Sequence, residues 1–257
     1  MDEEYEWIEG AIAVEAALRA GNRGVSAVYI HQERYDGVAA RIRRMAEEAG
    51  VEVARVSRHE LTKYDPQVGH GSIIARVGPR RMHSLEELLA GPEAVLVLLD
   101  GVEDPYNLGQ AVRSLYAAGI DGLVMPPRRH FPAATVIRAS AGAWEFLPLA
   151  VAEAVDAMTM AHRRRVPVAV ATAAGSRAMD EVDLTGPLLL LIGGEKRGVS
   201  RTVEQAADVR IRIPYGREVD YALGTAAAAT ALAYEVLRQR RAGGARENCL
   251  CYTVAAH

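Results

Sequence analysis

The sequence predicts an α/β protein with two parts, and the pattern of its apolar residues leads to that prediction. From residue 93 onward, apolar runs alternate with helical patterns, and the runs are continuous rather than alternating. Continuous apolar strands are buried on both faces, which is typical of a mostly parallel sheet covered by helices. The runs occupy residues 94–99, 122–125, 166–172, 188–192 and 209–214.

The first 77 residues read as a smaller α/β unit, because amphipathic helical segments alternate there with short strand patterns. Helices are predicted over 12–18 and 38–49 with a short helical turn over 59–63, and strands over 25–30, 51–56 and 71–77.

A linker is predicted over residues 78–92, because Gly78 and Pro79 break the pattern and Ser84 has the position of a helix N-cap. The larger domain then spans residues 93–241. It ends in an Ala-rich helix over 223–240, whose small side chains suit a closely packed or intermolecular contact. Residues 242–257 read as a loose tail.

Composition limits the function classes without choosing one. The chain has 257 residues and a net charge of −3, and all but two of its 30 basic residues are arginine. Charge therefore neither indicates nor excludes RNA, although arginine suits phosphate contacts. No apolar run approaches the ~20 residues of a membrane span, and the first residues are acidic. We expect a cytoplasmic protein with no membrane partner.

The two cysteines, Cys249 and Cys251, lie close together near the C-terminus. A closed zinc site needs four ligands, so we expect no metal site there. A disulfide framework is excluded by the count.

The segment 99–113 is the most informative in the chain. It leads from an apolar run into a helical pattern, and Asn107 and Arg113 are expected to straddle the turn between strand and helix. In open α/β sheets, ligands bind in the crevice beyond the carboxyl ends of the strands. This segment is therefore the first candidate for chemistry.

A second segment, residues 188–200, is an apolar strand that ends in Gly193 and Gly194. Glycines there let a ligand approach the backbone, and Glu195 follows at the edge of the sheet. The alternative is a structural turn with a solvated glutamate. Neither GxGxxG nor a Walker lysine is present, which argues against a dinucleotide-binding fold or a P-loop NTPase.

With a third segment over 222–226, these segments resemble the SpoU/TrmH family of the SPOUT class, RNA 2′-O-ribose methyltransferases that use S-adenosylmethionine. The pattern D-P-x-N-x-G-x-x-x-R spans Asp104 to Arg113. Ile-Gly-Gly-Glu-x-x-Gly-Val begins at Ile192, and Ile213-Pro214 follows it. The resemblance covers residues 93–241, and the N-terminal unit is similar to the RNA substrate-binding domain of many members.

The resemblance implies a C-terminal trefoil knot, an exception to the rule against threaded chains. It also implies a homodimer and an RNA substrate, ribosomal RNA more than transfer RNA by analogy. S-adenosylmethionine would bind in the knot. The residues expected around it are Thr172, Ala173, Gly193, Gly194, Ile213, Leu223 and Gly224.

Catalytic roles are carried over to three residues. Arg113 matches the arginine at the methyl-acceptor site, either as the base that activates the hydroxyl or as a clamp on phosphate that places the 2′-oxygen; the clamp is physically easier for a guanidinium. Asn107 would orient the loop or the arginine, unless it is a helix N-cap. Glu195 would support the site across the dimer.

The third segment departs from the family pattern Ser-Leu-Asn-Val-Ser. Leu223 is kept, but Gly224 and Ala226 replace the asparagine and the second serine, which are hydrogen-bonding residues. Thr225 or Tyr221 are the candidates to replace them. The family's His-Gln-Gly becomes Gly-His-Gly around His70, which reads as structural or RNA-facing.

Active RNA methylation is therefore the leading hypothesis. The alternative is a protein that binds cofactor or RNA with weak or no catalysis, which the altered third segment favours. Methylation of one ribosomal RNA nucleotide as a resistance function shares the same chemistry, and the sequence does not discriminate it.

Overall fold

Two β-sheets organise the chain in the computed structural model, which describes residues 5–64, 72–127, 131–172, 177–194 and 197–243. The smaller sheet has the strand order β1-β4-β2-β3, with β4 antiparallel to both its neighbours and β2 parallel to β3. Its elements are β1 (Glu6–Glu9), α1 (Ala11–Ala20), β2 (Val25–His31), α2 (Gly37–Glu48), β3 (Glu52–Val56), α3 (Arg58–Tyr64) and β4 (Ile73–Val77).

The larger sheet has seven strands in the order β7-β6-β5-β10-β8-β11-β9, and every pair is parallel. Its strands are β5 (Val95–Asp100), β6 (Gly122–Met125), β7 (Leu149–Val151), β8 (Val168–Ala171), β9 (Arg177–Ala178), β10 (Leu188–Gly193) and β11 (Val209–Arg212). Its helices are α4 (Leu85–Leu88), α5 (Pro105–Ala117), α6 (Ala133–Ala139), α7 (Ala143–Phe146), α8 (Ala154–Arg163), α9 (Arg201–Ala206) and α10 (Thr225–Ala242).

The predicted α/β class and parallel sheet are confirmed, and each of the five apolar runs forms a strand. Strand β5 shows why its run is continuous. Val95, Val97 and Leu99 belong to the core that includes α5 and α10. Leu96 and Leu98 belong to the core on the other face, which includes α8.

Three strands, β1, β7 and β9, were not predicted from the sequence because they are short or polar. Strand β1 contains two glutamates among its four residues, while β7 and β9 have three and two residues. Their pairing with a neighbouring strand defines them, and local sequence carries little of that information. The boundaries proposed for the domains, the linker and the tail, as well as the knot, stay predictions.

Helix α4 begins where the sequence predicts it. The Ser84 hydroxyl accepts from the backbone N–H of Glu87, whose carboxylate accepts from Ser84 N–H in turn. This capping box stabilises the start of the helix, which follows β4 and precedes β5 in the chain.

The Ala-rich helix α10 packs closely against α5. Ala229 and Ala233 are fully buried, and the Thr230 hydroxyl donates a 2.7 Å hydrogen bond to the Ser114 hydroxyl on α5. Small side chains thus bring the two helix backbones together within the chain. Within the described ranges, no helix combines the length and apolar character that crossing a membrane requires.

Candidate active site

The central strands of the larger sheet end together at one edge, where the predicted motifs meet. Gly193, the last residue of β10, pairs with Asp100, the last residue of β5. Thr172 follows β8, and its N–H donates to the carbonyl of Ile211 on β11 at 2.9 Å. Because all these strands are parallel, their carboxyl ends form a single crevice.

The glycine turn after β10 is built by close backbone contacts. A Cβ on Gly194 would collide with the carbonyl oxygen of Gly101, and one on Gly193 would collide with the backbone of Gly198. Gly101 also has φ +87°, a conformation that L side chains rarely adopt. The glycines are therefore required by chain-to-chain packing, which joins the first motif to the second.

A cavity of about 1210 Å³ lies at the ends of β8, β10 and β11. Six of the seven residues predicted around the cofactor line it, and the seventh, Ala173, lies outside the described residues. The six are Thr172, Gly193, Gly194, Ile213, Leu223 and Gly224. Sequence reasoning thus identified the walls of one continuous space.

The altered third motif is held by two hydrogen bonds. The buried hydroxyl of Thr225 donates to the carbonyl of Gly193 at 3.1 Å, which ties the start of α10 to the end of β10. The N–H of Leu223 donates to the phenol oxygen of Tyr215 at 2.9 Å. Tyr221 also lines the cavity but is 65% exposed and makes no hydrogen bond with a described residue. Of the two candidate replacements, the structure therefore favours Thr225.

Three residues of the first motif, Asp104, Pro105 and Gly109, have a structural role in α5. The Asp104 carboxylate accepts from Asn107 N–H at 2.8 Å and caps α5, and Pro105 occupies the first turn. Gly109 allows α6 to approach, since a Cβ there would collide with Ala139. Asp104, rather than Asn107, is the N-cap, so the alternative assignment of Asn107 as the cap is wrong.

The sequence predicted that Asn107 and Arg113 straddle the turn between strand and helix. This prediction is wrong, because both residues lie within α5. They are six positions apart in the sequence, which corresponds to ~9 Å along the helix axis. Arg113 is exposed and makes no hydrogen bond or ion pair with any residue in the described ranges. Neither side chain lines the cavity. The structure of one chain thus gathers the predicted cofactor residues and leaves the predicted acceptor residues outside that group.

Glu195 and His70 lie outside the described residues, so their predicted roles stay predictions. Arg197, just after Glu195, is exposed and lines the cavity.

Several lining residues were not selected from the sequence. Glu204 on α9 accepts a hydrogen bond from the Thr172 hydroxyl at 3.3 Å. Tyr215 directly follows Ile213-Pro214, so its position beside a motif was a usable signal. Arg212, the last residue of β11, directly precedes the same pair and so had the same signal. Asp220 had none, because a charged residue in a loop is ordinarily solvated.

Comparison with known proteins gives consistent matches over nearly the whole chain. The sequence profile of the SpoU rRNA Methylase family matches residues 94–234, and a profile described as RNA 2′-O ribose methyltransferase substrate binding matches residues 7–97. Both profiles agree with the family resemblance of the motifs.

Among curated relatives, the 23S rRNA (guanosine-2′-O-)-methyltransferase RlmB of Xylella fastidiosa is 31% identical over 247 residues, covering 93% of this chain and 99% of the relative. The protein of the same name from Pseudomonas aeruginosa is 31% identical and covers 92% and 98%. These relatives are named as enzymes, so the alternative of a binding protein with weak or no catalysis finds no support here.

Among solved structures, the SpoU methyltransferase AviRb of Streptomyces viridochromogenes superposes with a TM-score of 0.77 at 25% identity, covering 93% of this chain and 91% of that chain. A second structure of that protein holds the cofactor AdoMet; at 24% identity, its likeness bears on the fold.

Proposed function

Because the chain belongs to the SpoU rRNA Methylase family, we propose that it transfers a methyl group from S-adenosylmethionine to a ribose 2′-hydroxyl of ribosomal RNA. The observation that carries this proposal is the cavity at the sheet edge, because residues from the second and third family motifs line it. Transfer RNA is the second candidate substrate. The relatives' names favour ribosomal RNA, and we propose that the reaction takes place in the cytoplasm.

The residues of the cavity fit the proposed cofactor. Ile192, Ile213 and Leu223 supply apolar walls for an adenine ring, while Thr172 and Gly224 supply hydroxyl and backbone groups. Gly224 caps α10 without a side chain, so the first N–H groups of this helix stay open to a polar ligand. When bound, S-adenosylmethionine supplies an electrophilic methyl group on a positively charged sulfur.

Arg113 is proposed to hold the substrate. Its guanidinium is exposed and has no partner among the described residues, so it is available to clamp an RNA phosphate through two parallel hydrogen bonds. Fixing the phosphate would orient the adjacent 2′-oxygen toward the methyl group. The hydroxyl proton would pass to water or a nearby base as the C–O bond forms and the methyl–sulfur bond breaks, which leaves S-adenosylhomocysteine. Asn107, which lies nearer the N-terminus of the same helix, is proposed to orient this substrate contact.

We propose that two copies of the chain form the working enzyme. Arg113 does not line the proposed cofactor cavity of its own chain. If Arg113 acts beside a bound cofactor, that cofactor must lie in the cavity of a second copy of the chain. The exposed surface of α5 and α10 suits such a contact, because Tyr106 on α5 and Tyr234 on α10 are 57% and 47% exposed, and the small Ala227 on α10 is exposed as well. Sedimentation of wild type against Tyr234→Glu tests the dimer.

The methylation experiment uses tritiated S-adenosylmethionine and ribosomal RNA. Wild type should label the RNA on ribose, and Arg113→Ala should reduce kcat/KM by at least 100-fold while calorimetry shows unchanged cofactor affinity. Arg163→Ala is the matched control, since this exposed arginine lies on α8, on the opposite face of the sheet. Absence of label from wild type, or equal label from Arg113→Ala, would refute the respective assignment.

A further inference from the structure

A second cavity, of about 360 Å³, opens at the same edge of the large sheet, beyond the ends of β6 and β7. Its volume lies at the low end of the ~300–1,000 Å³ range of small-molecule sites. Met125, Phe131 and Trp144 give it apolar and aromatic walls, and Arg23 and Arg80 are its cationic residues. The proposed methyl transfer does not use this cavity.

The strand order places the second cavity beside the first. Strand β5 lies between β6 and β10, so the strands that carry the two cavities are two spacings, or ~10 Å, apart. The nucleotide that accepts the methyl group must reach the first cavity. Its neighbours on an extended RNA strand are then within reach of the second.

The chemistry of the second cavity suits a flat, polar-edged ring. The guanidinium of Arg80 stacks over Trp144 at 4.6 Å from the ring centroid, and one of its terminal nitrogens donates to the carbonyl of Leu147. Burial lowers the pKa of Arg80 to about 10, opposed by the nearby charge of Glu145, so the group stays charged at neutral pH. An arginine in an apolar cleft presents N–H donors to a ring oxygen or nitrogen.

The smaller unit completes this cavity. Glu6 and Arg23 belong to that unit, and Pro79, Arg80 and Met82 belong to the segment that follows β4. Arg23 is fixed by ion pairs to Glu6 and, on the larger unit, to Glu145. The cavity therefore depends on the docking of the two units.

We propose that this second cavity binds an unpaired base of the substrate RNA, one or two nucleotides from the methylated ribose. The base stacks against the aromatic and apolar walls, and Arg80 donates to an acceptor on its edge, as side chains do when they read unstacked bases. The inference rests on the proposed function for the identity of the RNA, but base binding can be measured without methyl transfer.

The direct test uses fluorescence, since the chain has only two tryptophans, Trp7 and Trp144. In Trp7→Phe protein, guanosine 5′-monophosphate should quench Trp144 with a millimolar Kd, and ribose 5-phosphate should not. Ala133→Leu fills the cavity and should weaken the nucleotide at least tenfold. Ala134→Leu, the next residue of α6, does not line the cavity and is the control. Equal quenching by both ligands or in both leucine variants would overturn the proposal.

The second test uses RNA and separates this inference from the proposed function. Ala133→Leu should raise KM for ribosomal RNA at least tenfold, with kcat and calorimetric cofactor affinity unchanged. Met82→Glu places a carboxylate at the 47%-exposed rim and should act in the same direction if Ala133→Leu fails to fold. If the wild type is active and the folded variants keep the wild-type KM, the base site is refuted and the proposed function is not. An inactive wild type refutes the proposed function, and the fluorescence result then decides the base site.

Discussion

The Nε of Arg23 donates a 3.0 Å hydrogen bond to Oε2 of Glu145, joining residues 122 positions apart. Their side chains are 2% and 0% exposed. The same arginine reaches Glu6 at 3.0 Å, and Asn22 donates to the carbonyl of Glu145 at 2.8 Å. The two units are therefore joined by one buried, charge-assisted hydrogen bond from Arg23 and one neutral hydrogen bond from Asn22. Loss of the arginine leaves an uncompensated charge in the interior.

Replacing Arg23 by methionine should destabilise the protein by about 3–5 kcal/mol, because Glu145 would lose its hydrogen-bonding partner while staying buried. Urea unfolding measures the change. Arg43→Met is the matched control, since Arg43 is exposed and its 3.6 Å pair with Glu47 lies on the surface, where such pairs contribute about 0–1 kcal/mol. Equal losses in the two variants would contradict a special role for the buried pair.

The pH dependence of stability should also report on Glu145. Burial raises the pKa of its carboxyl, and the charges of Arg23 and Arg80 oppose that shift only in part. The folded chain therefore holds this proton more tightly than the unfolded chain does. The contribution of Glu145 to the free energy of unfolding is therefore largest below the ordinary pKa of a glutamate. It declines as the pH rises through the raised pKa of the folded chain.

Glu145→Gln cannot titrate, so it should lack this decline. In urea unfolding between pH 4 and pH 8, the free energy of unfolding of Glu145→Gln relative to wild type should rise with pH. A relative free energy that is constant or falls with pH would show that the ion pair with Arg23 outweighs burial.

Thr225 offers a test of the altered third motif. Thr225→Val keeps the shape of the side chain but removes the donor to Gly193, a loss worth about 1 kcal/mol. We expect a roughly fivefold weaker calorimetric Kd for S-adenosylmethionine, because the glycine turn would be less firmly held. Thr225→Ser keeps the hydroxyl and should retain the wild-type affinity. Unchanged affinity in the valine variant would remove Thr225 from the cofactor site.

The sequence predicted what depends on local pattern and failed where distant contacts decide. Continuous apolar runs such as 94–99 identified the buried parallel strands, because burial on both faces leaves a direct trace in composition. Gly193 and Gly194 were predicted at a site and both line the cavity, but the structural need for glycine there is contact with Gly198 and Gly101, which only the folded chain reveals.

Other features had no local signal. The pairing of Arg23 with Glu145 spans most of the fold, and each residue alone resembles an ordinary surface charge. Asn107 was placed at a turn although it lies inside α5, because Asp104 takes the cap three residues earlier. Boundaries of elements depend on such competition between neighbouring capping residues.

Tyr215 is the remaining residue whose role the structure makes testable. Its phenol oxygen accepts from Leu223 N–H, and both residues line the cavity at the sheet edge. This bond links the segment after β11 to the segment before α10. Neither Gly224 nor Ala226 has a polar side chain to fix this loop, so Tyr215 should hold it in the conformation that binds the cofactor.

Tyr215→Phe keeps the ring and removes the acceptor, so Kd for S-adenosylmethionine should rise about two- to twelvefold, as expected for one hydrogen bond of roughly 0.5–1.5 kcal/mol. Tyr221→Phe is the matched control, because Tyr221 lines the same cavity without a hydrogen bond to a described residue. Calorimetry with S-adenosylhomocysteine should give the same ranking, which separates loop ordering from any effect on the methyl group. Tighter binding by Tyr215→Phe would mean that the phenol competes with the cofactor for Leu223 N–H.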